Sequence, residues 1–448
     1  MGGEVADVVT ASGARPLWHG RALAVLGILL CAFSLRSAVA SLSPVVDRIG
    51  AEFPLSSAVV GLIGTAPPVC FAVFGLLTPL LERRLGLERL AVIALGAMTV
   101  GLVARGLVGE SVGLLLTTAL IFAGVGMGNI LLPPLVKKYF PDRIGAMMTL
   151  YTTSMAFSTF VPPLVAVPVA DAAGWRFSLA VWGVFAAAGT IPWLVMLLRG
   201  DHRRVVPVPP EPEPQAEPET LRPAASEPAA ITATGPIVTA PENRSLFRRL
   251  AGIPLVWALA VTFGTSSTMA YVAFAWFPSI AADLAGVNSG TAGLLLSLFA
   301  FIGLPASLLV PVLVVRFQAT RPLFLIGALG GVAGITGMLL APHPSVLWLW
   351  TVLFGLVGLL FPLSLVLISI RSRTAESAVV LSSFVQSAGY VMAAVFPVLV
   401  GVLHGATGSW TIPLIVIAAV LVAAIPAGMM AGRRGTVEDE WERRHGTW

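Results

Sequence analysis

The chain is a succession of long apolar runs that almost no charge interrupts. They occupy roughly 22–45, 56–80, 90–109, 112–136, 145–170 and 175–198, then 252–280, 289–314, 322–341, 345–369, 377–403 and 409–431. A bilayer core of about 30 Å is crossed by roughly 20 residues of α-helix. Inside lipid every backbone N–H and C=O must find a partner within the protein, which leaves helices or closed barrels. Barrel strands would alternate apolar and polar residues over about ten positions, and these runs do not. The sequence therefore predicts an all-α integral membrane protein of twelve transmembrane helices in two six-helix halves. The halves span 22–198 and 251–431, with end segments at 1–21 and 432–448. Between them, 199–250 carries "VPVPPEPEPQAEPETLRPAASEPAA". Such proline-rich, acidic sequence cannot bury a core and is expected to be an extended or disordered linker.

A sequence pI near 9.8 could suggest nucleic acid as a partner, but the charge does not form a patch. With the N-terminus inside, 23 Lys and Arg fall in inner loops, linker and ends, against Arg48, Arg105 and Arg176 outside. That asymmetry is the positive-inside pattern, and it predicts cytoplasmic termini and linker. The 25 Arg to 2 Lys bias, with abundant Ala, Gly and Pro, suggests a GC-rich bacterial genome and hence a bacterial inner membrane. The first run is too long for a signal-peptide core, and further spans follow it. Cys31 and Cys70 fall inside runs and read as buried thiols. No metal-ligand spacing is present, and no cofactor is expected.

The halves also repeat. Shifting "GLIGTAPPVCFAVFGLLTPLLERRLGLER" (61–89) by 232 residues onto 293–321 pairs Gly61 with Gly293, Pro79 with Pro311, Arg84 with Arg316 and Arg89 with Arg321. Two halves of like orientation fit a parallel repeat about an axis along the membrane normal, with the substrate site between them near midplane.

The ionisable groups then single out one residue. Every Asp and Glu falls in a loop, an end or a span terminus, whereas Arg36 lies within "CAFSLRSAVASLSP". Fourteen residues from the start of the span place it about 21 Å in. A central arginine costs about 2.5–3.5 kcal/mol to insert, so something must offset it. It could tie helices together through carbonyls and amides. It could instead face a cavity and hold an anionic or strongly polar solute, for which the forked guanidinium is suited. The second role is the one carried forward.

Other polar residues within spans extend the candidate site. Asn129 in "GVGMGNILLPP" could face a cavity or a neighbouring helix, Tyr151 lies early in its span, and Thr65 sits beside Pro67 and Pro68. Gln386 and Tyr390, four apart, share a helix face. Tyr271 and Trp276 occupy the outer half of the seventh span, where Trp276 also suits an interfacial aromatic belt.

Five stretches carry a family resemblance: "LRSAVASLSPVV" (35–46), "NILLPPLVKKYFPDRIG" (129–145), "LYTTSM" (150–155), "AWFPSIAADLAGVNSGTAGLLLSL" (275–298) and "SFVQSAGYVMAAVFPVLVGVLHGATGSWTIPL" (383–414). Together they resemble the major facilitator superfamily, and more narrowly its cyanate and 2-nitroimidazole transporter branch. The resemblance implies alternating access, small anionic or nitro-aromatic cargo, and Arg36, Asn129, Tyr151 and Gln386 in or near the cavity. Ser37 stands where that branch is expected to have proline. "PLLERRLGLER" (79–89) departs from the superfamily's GxxxDRxGRR pattern, with Pro79 for the first glycine and Arg83 for the aspartate.

The function expected is secondary active transport of a small anionic or polar organic solute. The alternative is efflux of drugs or toxic metabolites. Intramembrane carboxylates, which would attract cationic drugs, are missing from the sequence pattern. A coupled proton could travel with an anion, or through water and tyrosine. No nucleophile–base set points to an enzyme. The expected partners are the solute and the bilayer, and a monomer is expected.

Overall fold

The protein is described here by a computed structural model covering residues 21–140, 143–199, 248–373 and 375–446. The N-terminal segment 1–20 and most of the expected linker, 200–247, lie outside the described residues. Among the described residues helices predominate and no strand occurs. Eleven helical stretches are long and apolar enough to cross a bilayer. One of them, Ala146–Leu198, has 53 residues, about 80 Å at 1.5 Å per residue and far too long for one crossing. It contains Gly174 at φ +83°, a left-handed conformation that glycine adopts without strain. The chain reverses there, so the stretch supplies the fifth and sixth spans and the total is twelve.

In chain order the N-terminal half comprises α1 (Ala22–Ala40), α2 (Val46–Gly50), α3 (Ser57–Leu85), α4 (Leu87–Arg105), α5 (Ser111–Tyr139), α6 (Ile144–Ala180) and α7 (Gly183–Leu198). The C-terminal half comprises α8 (Pro254–Ala285), α9 (Ser289–Phe301), α10 (Gly303–Phe317), α11 (Thr320–Leu340), α12 (Leu347–Gly355), α13 (Leu360–Ile370), α14 (Ala375–Thr407), α15 (Thr411–Ala423) and α16 (Ile425–Ala431). A last helix, α17 (Val437–His445), follows the final span.

Four spans are interrupted within the apolar run, and proline accounts for each. A proline ring collides with the carbonyl four residues earlier and supplies no N–H to it. Pro44 thereby ends α1 at Ala40, and a 3₁₀ turn at Ser43–Val45 links it to α2. Pro305 separates α9 from α10, and Pro426 separates α15 from α16. Pro362 faces a 3₁₀ turn at Leu356–Leu359 between α12 and α13. Hydrophobicity is continuous across each break, so the crossing survives while the helix bends.

Within each half, small residues let helices approach closely, the usual substitute for hydrophobic drive in lipid. A Cβ on Gly124 would lie 2.5 Å from the Ala94 carbonyl oxygen, which is how α5 meets α4. Gly334 does the same against the backbone at Trp350 and Phe354, seating α11 on α12. The halves meet along two seams, α3 against α14 and α6 against α9. With twelve crossings, the start of α1 and helix α17 share one face, the terminal face. At the opposite face the seams are tight: Gly61 and Gly64 of α3 abut Pro397 of α14, and Gly293 of α9 abuts the Pro163 carbonyl of α6. That face is further braced by Arg48–Asp171 at 2.5 Å and by Glu52 with Arg176.

On the terminal face, α17 docks against the turn after α13. Arg373 forks onto Glu442 at 2.8 and 2.9 Å and also pairs with Asp439. The Thr436 backbone N–H and the Arg373 guanidinium together hold the Asp439 carboxyl below the usual carboxylate range. Lys138 and Tyr139 both bond Glu88, at 2.5 and 2.6 Å, tying α5 to the start of α4.

Candidate functional site

Arg36 sits near the middle of the 29-residue stretch Ala22–Gly50, so its depth is central. Its guanidinium lies close enough to the hydroxyls of Tyr271 and Tyr390 to interact electrostatically with both. Arg36 belongs to the first half, whereas Tyr271 on α8 and Tyr390 on α14 belong to the second. The contact therefore bridges the halves at the level where the two seams flank the centre. Among the described residues no carboxylate pairs with Arg36. A guanidinium has five N–H donors, more than two tyrosine hydroxyls can satisfy.

Aromatic rings wall this centre. The Phe71 ring of α3 packs edge-on to Tyr390 at 5.6 Å and to Tyr271 at 6.4 Å. Phe263 of α8 meets Tyr390 edge-on at 5.1 Å. These separations and angles are favourable for aromatic pairs. Gln386 lies one turn from Tyr390 on the same face of α14, is 6% exposed, and donates to the Ser382 hydroxyl at 2.7 Å.

The remaining candidates occupy different positions. Asn129 is half-buried and makes no hydrogen bond among the described residues. Its neighbour Gly128 packs on Leu35 and Cys31 of α1, which sets Asn129 at the depth of Arg36. Tyr151 is fully buried in the core of the first half. Thr65 donates across the α3–α14 seam to the Ala394 carbonyl at 2.8 Å. Trp276 donates to the Pro397 carbonyl at 2.9 Å and packs on Trp410 at 5.6 Å. Thus Arg36, Tyr271 and Tyr390 are brought together, with Gln386 adjacent on α14. Thr65 and Trp276 instead hold α3 and α8 to α14 on the side away from the termini.

Arg105, counted above among the outer charges, is the last residue of α4 and is 0% exposed. It donates to the Ala38 carbonyl at 3.1 Å and to the Thr118 hydroxyl at 2.9 Å, and its Nε is buried without a partner. The "ARGLVGES" turn looks like a loop because glycines flank it. Only the packing of α4 on α1 and α5 pulls the guanidinium inward. Phe71 and Phe263 give no sequence signal of this role, since a phenylalanine in an apolar span does not show which way it faces.

Arg105→Ala should lower stability by roughly 2–5 kcal/mol, the usual cost of a large-to-small change in a packed core. Arg105→Met, which refills the volume without the charge, should recover most of that. Thermal unfolding in detergent reads both. Equal losses would assign the effect to the hydrogen bonds rather than to packing.

Two six-helix halves meet on two seams around a central arginine, the architecture of a multi-pass membrane protein with a polar site between its halves. The chain belongs to the Major Facilitator Superfamily, whose model matches residues 28–397. It is 33% identical over 414 residues to the uncharacterized transporter YycB of Bacillus subtilis (strain 168), covering 91% of this chain and 93% of that one. It is 29% identical over 415 residues to the 2-nitroimidazole transporter of Escherichia coli K12, covering 92% and 96%. Identity to that organism's cyanate transport protein CynX is 24% over 396 residues, covering 86% and 91%. The fold also matches a crystal structure of a bacterial homologue of the human lysosomal transporter Spinster, inward-facing and unoccupied. There the TM-score is 0.66 at 15% identity, covering 94% of this chain and 98% of that one. The protein is a multi-pass transporter of small solutes and not an enzyme.

Proposed function

We propose that the protein moves a small planar anion or nitro-heterocycle across the bacterial inner membrane by alternating access, with Arg36 as the principal substrate ligand. The observation that carries this reading is the Arg36 guanidinium, set between the halves near the hydroxyls of Tyr271 and Tyr390, with no carboxylate paired to it among the described residues. A flat solute would stack among Phe71, Phe263, Tyr271 and Tyr390 while its oxygens take the free guanidinium donors. Asn129 and Gln386 would supply further hydrogen bonds, Tyr151 would back the cavity wall, and Thr65 and Trp276 would set the closed seam above it. The names of the two Escherichia coli relatives, a nitro-heterocycle transporter and a cyanate transporter, point to the same solute class. The charge asymmetry of the loops favours a cytoplasmic terminal face, so the tight seam would close the outer side.

The test is a thermal-shift screen of the purified chain against small carboxylates, cyanate, nitroimidazoles and organic cations. A ligand at about 100 times its Kd adds about 2.7 kcal/mol to stability, enough to see clearly. Stabilisation by anions or nitro-heterocycles is expected. Stabilisation by cations alone would overturn the assignment and favour drug efflux.

A further inference from the structure

On the terminal face, well away from Arg36, a cavity of about 840 Å³ opens in the second half among α10, α11, α13 and the residues after α16. It is within the size range of small-molecule sites. Its polar lining is Gln318, Thr320, Arg321, Arg371 and Arg434, and none of its lining residues is acidic. Three arginines thus converge on one cavity from three separate connections in the chain.

Each has its place for a local reason. Gln318 adopts a left-handed conformation (φ 55°) that caps α10, so only a short turn separates it from Thr320 and Arg321 at the start of α11. Arg321 lies over Gly432, where a Cβ would come 2.6 Å from its Cγ. Arg371 is 8% exposed and donates to the Ala431 and Gly435 carbonyls at 3.2 and 3.3 Å, while its Nε is buried without a partner. Arg321 and Arg434 are exposed and have no ion-pair partner among the described residues.

The cavity's depth decides between a lipid and a soluble anion. Its lining begins where the apolar spans stop, at Phe317, Ile370 and Ala431. Its remaining walls are Val314, Val315, Pro322, Ile370 and Gly432, of which Val315 and Ile370 are exposed apolar side chains at the ends of their spans. A soluble phosphate would use the arginines and leave that apolar rim without purpose. A phospholipid headgroup uses both, and basic pockets between helices at this level are a recognised form of anionic-lipid recognition.

We propose that this cavity binds the phosphate of an anionic phospholipid, with Arg321, Arg371 and Arg434 around the phosphate and the apolar rim against the glycerol and first methylenes. The lipid then links α10, α11, α13 and the segment after α16 into one unit. Because Arg371 also accepts α17 through its backbone carbonyl, from Val437 N–H at 2.8 Å, the same headgroup steadies the docked C-terminal helix.

The experiment is thermal unfolding of the purified full-length chain in neutral detergent with added phosphatidylglycerol, phosphatidylcholine or inorganic phosphate. The wild type is compared with R321Q/R434Q, which changes only the two exposed arginines. Phosphatidylglycerol should raise the unfolding midpoint of the wild type, and equal phosphatidylcholine or phosphate should not. The double variant should unfold at the wild-type midpoint without lipid and bind phosphatidylglycerol about 25-fold more weakly. No shift in the wild type, or an equal shift in the variant, overturns the site. An equal shift from inorganic phosphate at the same concentration overturns the lipid assignment and makes the ligand a soluble anion.

Discussion

Arg36→Ala should abolish transport while leaving the protein at least as stable as the wild type. The two halves of that expectation come from opposite signs of one quantity. A central arginine costs about 2.5–3.5 kcal/mol to place in a bilayer, and Tyr271 offsets only part of it. Removing the charge relieves that cost in the empty protein. In the loaded protein it removes charge-assisted hydrogen bonds worth about 1.5–3 kcal/mol each. Two such bonds to a planar anion correspond to a loss in affinity of about 100-fold or more. A purely structural arginine gives the reverse pattern, with stability falling first. Arg36→Lys keeps the charge but not the fork, and a point charge on a shorter reach cannot hold two oxygens in a plane. It should also lose most transport, about tenfold or more in affinity. Uptake into proteoliposomes, paired with unfolding midpoints, separates the cases. Normal uptake by both variants would remove Arg36 from the binding role. Lost uptake together with a lowered midpoint would make it a structural tie.

The contrast between Arg36 and Arg105 shows what a sequence of this kind reveals. The helices were legible because lipid enforces one solution for backbone hydrogen bonds, and the twelve apolar runs had few other readings. Arg36 was legible for a similar reason: a charge flanked on both sides by apolar residues is costly wherever it points. Arg105 was not, because a charge at the end of an apolar run followed by glycine belongs equally to a loop or to a buried cap. Its acceptors, the Ala38 carbonyl and Thr118, come from other helices. The same limit applies to Thr65 and Trp276. A polar group that faces a cavity and one that bonds a carbonyl on the next helix look alike in sequence, since every residue carries that carbonyl. Pairing is visible only where two groups share a helix, as Gln386 and Tyr390 do. The joining of Arg36 to Tyr271 depends on how the halves dock, to which local pattern contributes nothing.

Gly401→Val should hold the seam at the non-terminal face apart and bias the transporter toward a state open on that side. A Cβ at Gly401 would come 2.5 Å from the Ser57 carbonyl oxygen and 2.6 Å from the Trp276 ring. The first is backbone at the start of α3 and cannot swing aside, and the second is pinned by its bond to the Pro397 carbonyl. Valine adds a Cβ and two methyl groups to a contact that already has no room for the Cβ alone. Overpacking of this kind costs about 1–3 kcal/mol, and here the cost falls only on the closed form. In a two-state equilibrium it shifts the populations by about 5- to 150-fold. Gly61, facing Pro397 and Val398 from α3, makes the contact reciprocal, so separating the helices is the only relief. A cysteine at Val60, which is 7% exposed and packed against the second half, reports the change. In a background with Cys31 and Cys70 replaced by serine, an impermeant maleimide applied opposite the termini should label it faster in the Gly401→Val variant. Uptake should fall because the return to the closed form becomes rare. Unchanged labelling with normal uptake would mean that α3 and α14 need not meet at Gly401 in the transport cycle.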